Sequence, residues 1–301
     1  MKIISYNING IRAAIRKGLI NWLKSYNPDI VCFQEIKANP EQFDVSEFEK
    51  LGYNCYWHSA QKKGYSGVAI LSKIKPKNII YGCGVEKFDC EGRVITAEFN
   101  NIRVLSCYFP SGTSGQERQA FKIEFINFFY NFIKAQKKTR HLLVCGDYNI
   151  CHKAIDIHDP IRNKNSSGFL PEERNWITNF LDLGFVDTFR ILNPQPHCYS
   201  WWSYRAQSRK KNKGWRIDYH MLSDDMKHYI KKSETNISTG LEAAQKELSA
   251  AIESGDAKGQ ADAQKRIATL AFENAKIQQQ KEAAANAPAK PSEVQTPQQP
   301  V

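Results

Sequence analysis

The stretch His141-Leu142-Leu143-Val144-Cys145-Gly146-Asp147-Tyr148-Asn149 decides the fold of this 301-residue chain. An apolar run of this length, rich in branched residues and closed by glycine, reads as a buried strand over His141–Gly146. It ends on Asp147 and Asn149. Buried alone, a carboxylate or an amide costs stability, so these groups need partners at the same end of a core. Other apolar runs supply them. Asn7 ends Lys2–Ile8, Glu35 follows Asp29–Gln34, Tyr108 closes Arg103–Phe109, and Asp218 lies in Arg216–Leu222. Strands that each deliver one polar group to an edge build one pocket there.

Further strands are expected at Asn54–His58, Gly67–Leu71, Val94–Phe99 and Tyr199–Tyr204. Helices interrupt them. Leu19–Tyr26 stops at Asn27-Pro28, since the residue before proline avoids the helical region. Gln116–Ala135 places Phe121, Phe125, Phe128, Phe129 and Phe132 at helical spacing, and Leu170–Leu183 carries Pro171 where its first turn begins. Many strands with helices inserted at intervals predict two packed sheets flanked by helices.

Composition divides the chain near Asn236. From Ile237 onward there are 7 Lys+Arg and 8 Asp+Glu, leaving 35 basic and 23 acidic residues, a charge of +12, in residues 1–236. All 7 His, 8 Cys, 6 Trp and 13 Tyr also precede Ile237. A basic, aromatic-rich domain suits a polyanion, because Lys and Arg release counterions when they neutralise phosphates. No stretch approaches the roughly 18 apolar residues of a membrane helix. The opening Met1-Lys2-Ile3-Ile4-Ser5-Tyr6-Asn7 runs straight into a strand, so no signal peptide is expected. The cysteines form no CxxC pair and mostly sit in strand-like runs. Reduced thiols and a cytoplasmic location, in a bacterial cytosol or with the nucleoid, follow as expectations.

The tail reads differently. Residues 237–286 are expected to be a helical Ala/Gln-rich extension, with Ser254-Gly255-Asp256 as a turn and only a thin apolar stripe. Residues 287–301 hold Pro288, Pro291, Pro297 and Pro300 among Gln and Ser, and are expected to be disordered. Such a tail is a candidate arm for binding another protein.

The strand-end groups suit hard-metal phosphodiester hydrolysis. A carboxylate such as Glu35 can hold Mg²⁺ or Mn²⁺, with water and phosphate oxygens completing the shell. Asp147 can orient or deprotonate the attacking water. Asn7 and Asn149 can donate to metal ligands or phosphate oxygens, and Tyr108 can stabilise charge on the phosphate or leaving group.

In order along the chain stand SYNINGIRA (Ser5–Ala13), PDIVCFQEIK (Pro28–Lys37), GYSGVAILSK (Gly64–Lys73), YFPSG (Tyr108–Gly112), LLVCGDYNI (Leu142–Ile150), GFLPEER (Gly168–Arg174), FVDTF (Phe185–Phe189), YSWWSY (Tyr199–Tyr204) and GWRIDY (Gly214–Tyr219). Over residues 1–232 this resembles the exodeoxyribonuclease III family of apurinic/apyrimidinic endonucleases, within the endonuclease/exonuclease/phosphatase group that includes DNase I. The resemblance implies a four-layered α/β sandwich. It also implies a metal held chiefly by Glu35 with help from Asn7, and water activation by Asp147 assisted by Asn149. Tyr108 would contact the scissile phosphate, and Trp215, Trp201 and Ile217 would line a pocket for an extrahelical abasic sugar. Asp218 would serve a catalytic histidine. The substrate implied is double-stranded DNA carrying abasic sites or 3′ ends. The basic loop Arg205–Lys213 is placed to grip the backbone, and Arg12, Lys37 and Asn163 can touch phosphate.

One part of the family pattern is missing. Members end with an Asp-His segment and a last core strand, whereas this chain departs from the pattern soon after Ser233 and holds no Asp-His pair. His220 shares Asp218's face of a strand but replaces nothing in the pattern, so core packing is its expected role. Loss of such a histidine costs on the order of 10²–10⁴ in rate, and loss of the strand opens a sheet edge. A weakened nuclease is therefore expected. The alternative is a non-catalytic binder of abasic or damaged DNA. A relative acting on inositol phosphates or sphingomyelin fits the metal site but not GFLPEER, GWRIDY or the charge.

Overall fold

The computed structural model describes residues 1–203 and 206–230, and in the tail residues 249, 252–257, 259–264 and 267–268. In chain order the elements are β1 (Ile3–Asn7), α1 (Ile11–Arg16), α2 (Leu19–Tyr26), β2 (Ile30–Gln34), α3 (Ser46–Glu49), β3 (Asn54–His58), β4 (Val68–Ser72), β5 (Asn78–Tyr81), α4 (Glu86–Asp89) and β6 (Val94–Glu98). There follow β7 (Ile102–Tyr108), α5 (Gln116–Lys137), β8 (His141–Asp147), α6 (Pro171–Asp182), β9 (Phe185–Asp187), α7 (Thr188–Leu192), β10 (Trp201–Trp202), β11 (Gly214–Trp215) and β12 (Asp218–Ser223).

Two mixed sheets pack face to face. One runs β1-β2-β4-β3, the other β5-β6-β7-β8-β12-β9. β2 and β4 are buried along their whole length, as strands covered on both faces must be. Ile30, Cys32, Val68 and Ile70 of the first sheet meet Ile95, Val104, Leu143 and Cys145 of the second in one apolar layer. Ile11, Leu19 and Leu23 cover the outer face of the first sheet through Val31, Phe33 and Leu71. Phe125, Phe129, Trp176 and Phe180 of α5 and α6 cover the second through Leu105, Val144 and Met221. This is the four-layered α/β sandwich expected from the sequence.

The strand register brings polar residues to one end of both sheets. Asn7 lies opposite Gln34, next to Glu35. Tyr108 lies opposite Asp147 in the parallel β7–β8 pair, and Asp147 opposite Asp218 in the antiparallel β8–β12 pair. Gly146 is what permits this crowding. Its φ is +145°, and a Cβ there would fall 1.8 Å from the Cys107 carbonyl oxygen.

Among the described residues β1 pairs only with β2, so its outer side is a sheet edge. Of the expected strand Tyr199–Tyr204, whose last residue lies outside the described residues, Trp201–Trp202 forms a two-residue ribbon with Gly214–Trp215. Cα packing divides the chain into units Met1–Ile230 and Lys231–Val301. In the second unit Ser254-Gly255 is a turn, with helical residues described on both sides of it. The rest of the expected helical extension, and all of residues 287–301, lie outside the described residues. No helix among the described residues is long and apolar enough to cross a membrane.

Gly146→Ala is expected to cost roughly 2–4 kcal/mol, because backbone and not a flexible side chain stands in the way. Denaturant unfolding of the two proteins measures it; an unchanged midpoint would contradict the packing described.

Candidate active site

Asn7 sits at the centre of the polar cluster. Its amide nitrogen donates to Glu35 Oε1 at 2.8 Å and to Asp147 Oδ2 at 2.9 Å. Its Oδ1 accepts the Asn9 backbone N–H at 3.1 Å. One amide thus joins a carboxylate from each sheet. Tyr108 lies near Glu35, whose charge helps hold the proton on the phenol. Asn149 donates its backbone N–H to Asp147 Oδ1 at 2.8 Å and its side-chain amide to the Phe109 carbonyl at 2.9 Å. Asn9, Glu35, Lys37 and Asn149 all hold φ near +50°. Non-glycine residues seldom adopt this left-handed conformation, and it concentrates where a site over-determines the backbone.

Charge in the cluster is unevenly balanced. Burial would raise Glu35, but hydrogen bonds from Asn7 and Lys37 and the Lys37 ammonium hold it below its ordinary value. Lys37 Nζ lies 2.6 Å from Glu35 Oε2 and also donates to Asn9 Oδ1. Asp147 is 3% exposed, and burial followed by the Asp218 charge pushes it well up. Burial pushes Asp218 up to about 6, against a hydrogen bond from Ser200. The Tyr108 phenol is raised by burial and by the Glu35 and Asp147 charges. Converging carboxylates with an amide between them are groups that could hold a hard cation. Among the described residues no three His, Cys, Asp or Glu form a ready metal cage. The donors fit an ion that keeps water and takes further oxygens from a phosphate.

An aromatic pair and a small apolar cluster flank Asp218 along the chain. Trp201 and Trp215 pair across the β10–β11 ribbon, edge to face, with ring centroids 6.3 Å apart. Ile217 is buried with Cys151, Ile157 and Phe169, and Trp215 packs on this group. Ser200 Oγ accepts the N–H groups of Ile217 and Asp218, tying the ribbon to the head of β12. Trp201 is 42% exposed, so its ring is open to a ligand.

Other sequence candidates stand apart. Arg12 is exposed and shares a hollow of about 400 Å³ with Arg16 and Lys37. The Asn163 amide donates to the His158 and Asp159 carbonyls and accepts from Ser166, so it braces its own loop. Arg205 lies outside the described residues, while Arg209, Lys210, Lys211 and Lys213 of the same loop are exposed. His220 faces Cys145, Nδ1 to Sγ 3.5 Å, and burial lowers it to about 4.

Sequence reasoning missed two supporting groups. Arg93, 1% exposed, donates to the Tyr108 carbonyl at 2.8 Å and to the Tyr65 hydroxyl, which Arg118 also reaches. Arg216, 2% exposed, bonds Asp156 and Asp187 at 2.7 Å each, and Arg190 joins Asp156. That network backs the wall formed by Trp215 and Ile217. Arginines inside short apolar motifs, EGRVI and GWRIDY, were the available signal, since buried charges must be paired.

The chain belongs to the Endonuclease/Exonuclease/phosphatase family, whose pattern matches residues 4–231. Within that family it falls with the exodeoxyribonucleases and AP endonucleases. It is 44% identical over 232 residues to an exodeoxyribonuclease of Bacillus subtilis, covering 76% of this chain and 91% of that protein. It is 39% identical over 226 residues to the DNA repair nuclease APEX1 of Danio rerio, covering 74% of this chain and 73% of that one. An AP endonuclease structure from Archaeoglobus fulgidus superposes with a TM-score of 0.69 at 31% identity, over 75% of this chain and 88% of that one. A Neisseria 3′ phosphatase bound to product DNA hairpin gives 0.70 at 28% identity, with the same shares covered.

The Asp218 carboxyl, raised from 3.8 to about 6 in the folded state, binds its proton more tightly folded than unfolded. Its ionisation therefore costs stability as pH rises through about 6. In EDTA, Asp218→Asn is expected to raise Tm by roughly 2–4 °C at pH 7.5, and the gain should vanish below about pH 4. Scanning calorimetry across that range checks it; a gain independent of pH, or a loss at pH 7.5, would contradict the assignment.

Proposed function

We propose that this chain is a DNA repair nuclease that hydrolyses the phosphodiester 5′ to abasic sites and trims 3′ ends at the same site. The observation that carries this is the Asn7–Glu35–Asp147 cluster, with the Trp201–Trp215 ring pair on the ribbon next to β12. Its nuclease relatives and its +12 charge over residues 1–236 support a duplex DNA substrate.

Glu35 and Asn7 would hold Mg²⁺ or Mn²⁺, which supplies positive charge against the phosphate. Asp147 takes the proton of the attacking water. Its raised pKa makes it a better base near neutral pH than an ordinary aspartate. The Asn149 N–H fixes one Asp147 oxygen and Asn7 the other. Their geometry limits the proton's destination. Tyr108 stays protonated and donates toward phosphate oxygen. Trp201, Trp215 and Ile217 receive an extrahelical sugar lacking its base, which gives up little stacking on leaving the helix. The exposed cations of Arg209–Lys213 face the backbone charge.

A second reading has one specific observation in its favour. Asp218 donates its backbone N–H to Ser200 Oγ at 3.2 Å, and among the described residues no histidine is hydrogen-bonded to its carboxyl. A binder of abasic DNA without turnover would look the same. A duplex with one tetrahydrofuran abasic analogue, assayed with Mg²⁺ and with EDTA beside the Bacillus subtilis relative, decides. Mg²⁺-dependent nicking is expected, slower than the relative by on the order of 10²–10⁴. Glu35→Gln and Asp147→Asn should each remove a further factor of about 10² or more. Tight binding without any nicking would replace this reading with the second; neither binding nor nicking would refute both.

A further inference from the structure

Lys122 and Glu173 form an ion pair at 2.6 Å in which both side chains are 0% exposed. Stability does not account for it. Matched apolar residues in place of a buried ion pair are often as stable or more so. On α5, Lys122 precedes Phe125 by three residues and Ile126 by four, on the face that packs into the core. An apolar side chain is the inexpensive choice there.

The bonds around the pair show what it joins. Lys122 Nζ donates to the Asn149 carbonyl at 2.8 Å. With that bond, the N–H, C=O and side-chain amide of Asn149 are all engaged. Glu173 Oε2 accepts the N–H groups of Gly168 at 2.6 Å and Leu170 at 3.0 Å. Its Oε1 also accepts from Gln119 at 3.1 Å. A helix cap needs the Leu170 bond alone. Gly168 in turn abuts both parts of the site. A Cβ on it would lie 3.0 Å from the Asn149 carbonyl oxygen and 3.1 Å from the Trp215 ring. The Gly168 carbonyl accepts the Cys151 N–H at 2.7 Å.

We propose that Lys122 and Glu173 are positioning residues that lock the Asp147–Asn149 turn to Gly168 and the Trp215 ring packed beside it, so that the water-activating carboxylate and the sugar-contacting ring hold one spacing. Lys122 fixes the left-handed Asn149 from one side, and Glu173 fixes Gly168 from the other. Neither residue touches substrate. The effect on catalysis rests on the nuclease reading above; the coupling of the two segments does not.

The test uses the full chain with Lys122→Met, Glu173→Gln and the double variant Lys122→Met/Glu173→Met. Three quantities are measured: Tm, amide hydrogen exchange in residues 147–151 and 166–170, and kcat and KM on the abasic-analogue duplex. Lys122→Met leaves Glu173 buried and unpaired, so its Tm falls. In the double variant Tm returns close to that of the unaltered protein. Exchange in both segments nevertheless stays faster by about tenfold, and kcat stays lower by about tenfold or more with KM little changed. Recovery of slow exchange in both segments along with Tm would reduce the pair to a fold element and overturn the proposal. Should the double variant not fold, Glu173→Gln decides. It keeps an acceptor for Gly168 and Leu170 but drops the charge facing Lys122, so it must speed exchange in 147–151 as well as 166–170. A change confined to 166–170 overturns the coupling. If the unaltered protein does not nick, the nuclease reading fails while the exchange data still judge this one.

Discussion

The Asn7 amide, donating to Glu35 at 2.8 Å and to Asp147 at 2.9 Å, is the contact on which the site depends. Glu35 follows a strand of one sheet and Asp147 ends a strand of the other. Neither sheet carries the site alone. The apolar layer between them sets the separation, and Asn7 spans what remains at its end. This explains why the core is so strictly packed just behind the cluster. Gly146 leaves no room for a Cβ, and β2 and β4 are sealed on both faces. Interiors packed to this density transmit small displacements, so the site inherits the rigidity of both sheets.

That arrangement has an electrostatic consequence. Glu35 is held low by Asn7 and Lys37, while burial drives Asp147 and Asp218 up, aided by the Asp218 charge at Asp147 and the Glu35 charge at Asp218. Carboxylates set apart in this way can take different roles: one holds a cation, another accepts a proton. Asp218 is the member with the least assigned to it. Its backbone N–H donates to Ser200 Oγ, and β1, in the other sheet, pairs only with β2 among the described residues.

Much of this was legible in the sequence because strand ends carry their chemistry locally. Asn7, Glu35, Tyr108, Asp147 and Asp218 were singled out because each interrupts or ends an apolar run, and the structure brings all of them to one end of the sandwich. Leu19–Tyr26 matches α2, and Pro171 marks the first turn of α6. What escaped notice was short or stabilised from a distance. β5, β9 and β11 span two to four residues each, too few for a period-two pattern to register. Among the described residues of the expected strand Tyr199–Tyr204, only Trp201 and Trp202 pair, in a two-residue ribbon. The ion pairs of Arg216 and Lys122 escaped notice because the charged partners lie 29 to 60 residues away in the chain; apolar flanks hint that a charge is buried, not what it pairs with.

The proposed role of the oxygen-donor cluster spanning the two sheets is to hold a divalent cation against a phosphodiester. Anomalous scattering from crystals grown with Mn²⁺ and an abasic-analogue duplex tests it most directly. The account predicts a Mn²⁺ peak within bonding distance of Glu35, with a phosphate oxygen of the abasic strand beside it. DNA bound against the Trp201–Trp215 ring pair with no peak at Glu35, or a peak held by other residues, would contradict it.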